Sequence, residues 1–136
     1  MPTVDADGNE IAGYGSVLHQ APLGTYTGWN PTAAGFFKGQ PCGGGLNGGF
    51  IPFRATKADR ASAGDPRLSL EERYGTQAGY VCAVTRAAHE AVSHRLLLPA
   101  DANRLIDQAK ASAVLPPAPS SSAAAAIGER LCQAVR

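Results

Sequence analysis

Four clusters in this chain have residue types that do chemistry, and spacing decides how far each one gets. The first is Gly13-Tyr14-Gly15-Ser16. A hydrolytic serine on a strand-to-helix turn is written Gly-x-Ser-x-Gly, because small residues on both sides let the chain turn sharply enough to present the hydroxyl. Here glycine precedes Ser16 directly and Leu18 stands two residues on, so the steric condition is unmet and Ser16 is not read as a nucleophile. The second is His89-Glu90-Ala91-Val92-Ser93-His94. Two zinc-binding histidines on a helix are four residues apart. These are five apart, about 140° around a helix, and read as exposed histidines.

The third cluster, Gly43-Gly44-Gly45-Leu46-Asn47-Gly48-Gly49, lacks the Lys and Ser/Thr of a phosphate-cradling loop. The fourth is Asp65, Arg67, Ser69, Glu71, Glu72, Arg73 and Tyr74. Carboxylates and arginines this close could serve acid–base chemistry, but beside a turn they read as helix caps and mutual ion pairs. Asp65, Arg67, Ser69, Glu72, Arg73 and Tyr74 are therefore taken as a structural motif. No catalytic residue, metal ligand or cofactor is assigned.

The elements that must position these residues come from a chain of 136 residues, enough for one domain. Sixteen glycines and ten prolines accompany one Trp, four Phe and four Tyr, and alanine supplies much of the apolar share. Such a chain gains little apolar burial per ordered residue, and reads as a piece packed against something else. A net charge of +1 with no basic run excludes the footprint of a nucleic-acid binder. No stretch has the ~20 apolar residues of a membrane span, and the first residues lack the basic and apolar regions of a signal peptide. Localisation is left unknown. Cys42, Cys82 and Cys132 form no Cys-x-x-Cys pair; they read as free thiols, with one disulfide left open.

Asp7-Gly8-Asn9 predicts a turn leading to a short strand at Ile11. Val17 and Leu18 are strand-like; Pro22, Gly24, Gly28 and Pro31 then keep the chain extended and irregular, with Tyr26 and Trp29 in need of burial and a hydrogen-bond partner. Residues 38–49 predict a mobile loop, and Phe50 to Phe53 an apolar anchor. Thr56 caps a helix over 57–63 with Gly64 ending it, Ser69 and Glu72 form a capping box, and Thr76 caps the strongest helix. On that helix Tyr80, Val81, Val84, Ala87, Ala88, Ala91, Val92 and Leu96 share a face. Pro99 opens another, with Ala102, Leu105, Ile106 and Ala109 inward. The fold class is α-rich with an irregular, extended N-terminal arm and a short strand or hairpin. Residues 1–53 are the arm, 54–112 are helical, 113–122 a disordered Pro/Ser/Ala linker, and 123–136 a weak, loosely docked helix burying Ile127, Leu131 and Val135.

Several phrases in order are more specific than any of these clusters: Pro22-Leu23-Gly24-Thr25-Tyr26-Thr27-Gly28-Trp29-Asn30, Ile51-Pro52-Phe53, Thr56-Lys57-Ala58-Asp59-Arg60, the run Gly64 to Gly75, and Leu97-Leu98-Pro99-Ala100-Asp101-Ala102. Over residues 5–112 the chain resembles the C-terminal region of a family of bacterial and fungal α/β-hydrolase-domain-containing proteins. The resemblance implies the C-terminal segment of an α/β-hydrolase-type fold, with the nucleophile upstream of the matched region. It makes Thr25, Tyr26, Thr27 and Trp29 substrate-pocket candidates, suited to an ester or amide, or alternatively core anchors of an irregular loop. His19 falls where the family has an apolar residue and is not taken as catalytic.

Two readings follow. In one, the chain is a hydrolase segment inactive alone, whose partner is the upstream core or a second copy. In the other, it is an independent helical domain that serves as a protein-binding or structural module. Burial of the Val81, Val84, Ala88 and Val92 stripe and of Trp29 in one closed core favours the second; exposure favours the first.

Overall fold

The arm begins with a turn that Asp5 organises: its carboxylate accepts the backbone N–H groups of Asp7 and Asn9 at 2.9 and 2.8 Å. A single antiparallel bridge, Val4 to Glu10, closes the turn, and Ile11 adds one bond to Thr3. The computed structural model describes residues 3–11, 13–28 and 48–135. Val17–Gln20 then form one helical turn, α1, where the residue types predict strand. The Gln20 side chain closes this turn by donating to the Gly15 carbonyl at 2.8 Å, and only Val17 is buried. One inward residue and a local side-chain bond outweigh the weak strand preference of Val17 and Leu18.

Strands β1 (Gly24–Thr27) and β2 (Gly49–Pro52) pair antiparallel, from Gly24 opposite Pro52 to Thr27 opposite Gly49. This hairpin is the only sheet among the described residues. The apolar anchor, Phe50 to Phe53, overlaps β2 and is narrower than expected. Phe53 is buried, but Phe50 and Ile51 are 51% and 50% exposed.

Side-chain caps start the next helices. Thr56 and Asp59 exchange bonds at the head of α2 (Lys57–Ser62), and Ser69 and Glu72 do so at α3 (Leu70–Tyr74). Thr76 accepts from the Gly79 N–H at 3.1 Å to start α4 (Gln77–Ser93). α5 (Pro99–Ala111) opens on Pro99 instead, and Ser121 caps α6 (Ser122–Gln133).

The core lies on α4. Tyr80, Val84, Ala87, Ala88 and Ala91 are buried, Ala88 completely, and α5 adds Ala102, Ile106 and Ala109. Val81 and Val92 pack partly buried at the edge of this core, and Val17 and Ala21 of the arm are buried in it too, so arm and helices close the stripe together. Leu96 leaves the stripe and is 57% exposed, because α4 ends at Ser93 and Arg95 turns with φ 60°. The Leu96 N–H still reaches back to the Ala91 carbonyl at 2.9 Å.

Three further expectations change. Cys82 and Cys132 are not free thiols; they form a disulfide between α4 and α6. Residues 50 apart in sequence give no spacing signal for such a bond. The Pro/Ser/Ala stretch is held rather than disordered: Leu115 is buried, and the Gln77 side chain accepts from the N–H groups of Val114 and Leu115 at 3.1 and 3.2 Å. On α6 the deepest residues are Ala124 and Gly128, not Ile127, Leu131 and Val135. Gly75, Gly79 and Gly128 bring the backbones so close that the small face must point inward. A Cβ on Gly79 would stand 2.9 Å from the Gly128 Cα. Trp29, Cys42 and most of the glycine-rich stretch lie outside the described residues. No helix among the described residues is long and apolar enough to cross a membrane.

Candidate functional site at the junction of arm, hairpin and helices

The motif residues after α2 meet the hairpin through one guanidinium. Arg67 grips Asp65 bidentately, Nε to Oδ1 at 2.9 Å and Nη2 to Oδ2 at 2.7 Å. Its remaining hydrogens reach the sheet: Nη1 donates to the Thr25 hydroxyl at 2.9 Å and the Ile51 carbonyl at 3.0 Å, and Nη2 to the Pro52 carbonyl at 3.3 Å. A planar fork of five donors suits this task, since a carboxylate on one edge leaves the other edge for carbonyls. The Arg67 hydrogen bonds, side chain first and backbone N–H second, hold the Asp65 carboxyl down at about 2.

Two more pairs frame this hub. Arg60 binds Glu72 through Nε at 2.6 Å and Nη2 at 3.0 Å. That pairing is the main reason Glu72 is also lowered to about 2; burial opposes it, and the Ser69 N–H and hydroxyl add to it. Arg73 pairs with Asp7 of the arm, donates to the Leu68 carbonyl at 3.0 Å, and lies 4.0 Å over the Phe53 ring. Arg67 approaches the same ring at 5.2 Å. Tyr74 donates to the Pro22 carbonyl at 2.7 Å, and burial raises its phenol above the usual value.

Asn9 finishes the junction from the outer side. It is 2% exposed, and its amide behaves like a short strand: Nδ2 donates to the Gly24 carbonyl at 3.2 Å and Oδ1 accepts the Tyr26 N–H at 2.7 Å. The free edge of β1 is thereby satisfied without a third strand. Sequence reasoning missed Asp7 and Asn9 as partners. Their turn chemistry was visible, but nothing in the sequence states that the turn folds onto a strand fifteen residues further on.

Of the pocket candidates, Thr25 is buried, donates to the Asp7 carbonyl and accepts from Arg67. Thr27 accepts the Gly49 N–H at 3.0 Å. The Tyr26 ring sits between His19 and Phe50, with centroids 5.6 and 5.2 Å away. Trp29 lies outside the described residues. The cavity beside this junction, about 500 Å³, is bordered by Phe53, Arg54, Asp59, Ser62 and Arg67, with Ile51 at its edge.

The Ser16 hydroxyl is 2.9 Å from His19 Nδ1. His19's side-chain partners among the described residues are this hydroxyl and the Tyr26 ring, neither of them a carboxylate. Without an acid to fix its tautomer and stabilise the imidazolium, such a pair lacks the third member of a relay. His89 is exposed, and His94 caps the end of α4 with its ring 5.5 Å from Tyr14. No metal-binding group of His, Cys, Asp or Glu forms among the described residues. Arg60, Arg67 and Arg73 are each matched by a carboxylate, and Asp65 and Glu72 stay ionised near neutral pH. Through Arg67 and Arg73 the arrangement ties hairpin and arm to the backbone around α3.

A protein-family model described as alpha/beta hydrolase domain matches residues 1–107 of the chain. No curated protein and no solved structure matches it.

Proposed function

The chain belongs to the alpha/beta hydrolase domain family, and on that premise we propose that it is the helical closing segment of a hydrolase acting on esters or amides, inactive by itself. The observation that carries this reading is the exposed apolar surface of the arm and hairpin. Val4, Ile11, Leu18, Phe50 and Ile51 are each about half exposed, between 50% and 55%, and Leu96 and Leu98 beyond α4 are 57% and 68% exposed. Large apolar side chains left this open suit packing against a further protein surface. The partner in this reading is the hydrolase core; a second copy of the chain is the other occupant to test. Within the assembled enzyme, Tyr26 and Trp29 would offer aromatic faces to the substrate and Thr27 a hydroxyl, with Thr25 committed to Arg67 and Asp7.

The closed α4 stripe favours one element of the second reading, a helical body able to stand alone as a binding or structural module. Both readings share the exposed hairpin and predict no turnover by the chain alone; turnover gained on adding the hydrolase core would favour the first, and its absence the second.

Binding of the dye 1-anilinonaphthalene-8-sulfonate tests the surface. The chain should enhance its fluorescence, and the double change Phe50→Ser, Ile51→Ser should reduce that signal while leaving helical circular dichroism and Tm unchanged. No dye binding, or collapse of the helical signal in the variant, contradicts a docking surface.

A further inference from the structure

The Cys82–Cys132 bridge closes a seam that is poor in side chains. Its Cα atoms are 5.0 Å apart. Ala124, Gly128 and Cys132 recur every fourth residue and so share one face of α6. They meet Gly75, Thr76, Gly79 and Cys82 at the start of α4. A Cβ on Gly75 would lie 2.0 Å from the Ala124 carbonyl oxygen, and one on Gly128 2.8 Å from the Thr76 hydroxyl.

Backbones that touch over glycine and alanine remove little apolar area from water. The flanking Ile127 and Leu131 are only partly buried. A free helix of 12 residues is marginal in water. The covalent bond is therefore the strongest single tie on α6. Neither cysteine is fully buried, so an attacking thiolate has access. The chain before the helix is anchored separately by Gln77 at Val114 and Leu115, and residues 116–121 between anchor and helix are exposed. α6 also walls a groove of about 720 Å³, where Ala123 and Ile127 face Ala58, Ala61 and Glu71.

We propose that α6 is a thiol-released strap: reduction of Cys82–Cys132 frees it from α4 and opens the groove, while the α4–α5 body stays folded. The reductant is a low-molecular-weight monothiol. Its thiolate attacks one sulfur and expels the other, which takes up a proton; a second thiol resolves the mixed disulfide. Two electrons pass to the protein, two S–H groups replace the S–S bond, and the reductant leaves as its own disulfide. This device is independent of the hydrolase reading, since Cys132 lies beyond the family match.

Hydrogen exchange on the intact chain, oxidised and after treatment with excess reduced glutathione, tests it, with iodoacetamide uptake reporting the thiols. Reduction should add two alkylation sites and raise exchange over residues 122–133 at least tenfold, with α5 and the second half of α4 unchanged. Cys132→Ser should show the same pattern without reductant. Unchanged exchange in α6 after two sites appear overturns the proposal. So does joint acceleration of α4, α5 and α6, which would make the bridge a global structural support, and so does failure of glutathione to open it.

Discussion

The carbonyl oxygen of the Gln77 side chain accepts the Leu115 backbone N–H at 3.2 Å, joining the first residue of α4 to a residue 38 positions later. The same oxygen takes the Val114 N–H, and the Gln77 amide donates to the Ala109 carbonyl at 2.9 Å. One amide thus binds the end of α5 and the segment leading to α6, and lets Leu115 enter the core.

Gln77→Ala should therefore cost more than a surface change. Leaving buried backbone groups unpartnered costs about 1–3 kcal/mol. We expect a loss of about 2 kcal/mol in urea unfolding, and faster exchange at residues 114–116. Gln77→Glu keeps the acceptor but lacks the donor, and should fall between the two.

Arg67→Lys should loosen the hairpin. A lysine has no planar fork and cannot hold Asp65, Thr25 and the Ile51 carbonyl together. Because the pair is partly solvated, the cost should be about 1–2 kcal/mol rather than that of a fully buried charge. Exchange at β1 and β2 should rise while α4 and α5 are unaffected.

Stability should fall in the acid range through two depressed carboxylates, Asp65 and Glu72. Asp65 and Glu72 are held at about 2 in the folded chain, below the ordinary carboxylate values of about 4 in the unfolded one. The unfolded state then binds more protons, so their contribution is complete above about pH 5 and is lost as pH falls toward about 2. Urea midpoints measured across that range should decline, and Glu72→Gln should flatten part of the slope.

Gly79→Ala should dislodge α6. Its Cβ would sit 2.9 Å from the Gly128 Cα and 2.0 Å from the Tyr74 carbonyl oxygen, both backbone atoms that cannot swing aside. Overpacking of this kind costs about 1–3 kcal/mol. A lower Tm, and faster exchange in α6 than in α5, would confirm the tight seam.

Where one side chain decides a local event, the sequence was readable. Thr56, Ser69 and Thr76 each cap a helix, and the α4 stripe needs only the helical period to be seen. The relationships that escaped are between distant positions: Cys82 with Cys132, Asn9 with β1, and Gln77 with Leu115. Each depends on a chain reversal whose direction no local pattern records. The α6 face escapes local pattern for a related reason. Large apolar residues usually mark the inside, but here glycines on α4 demanded a small face opposite them. At the candidate site, the density of charges around Asp65 to Arg73 was plain, whereas Arg67's reach to Thr25 was not.

Hydrolysis of a short-chain p-nitrophenyl ester by the purified 136-residue chain tests the central claim most directly. The account predicts no turnover above buffer, and no change with Ser16→Ala or His19→Ala. Turnover that either substitution abolishes would contradict it, because the 2.9 Å Ser16–His19 contact would then be a working nucleophile and base.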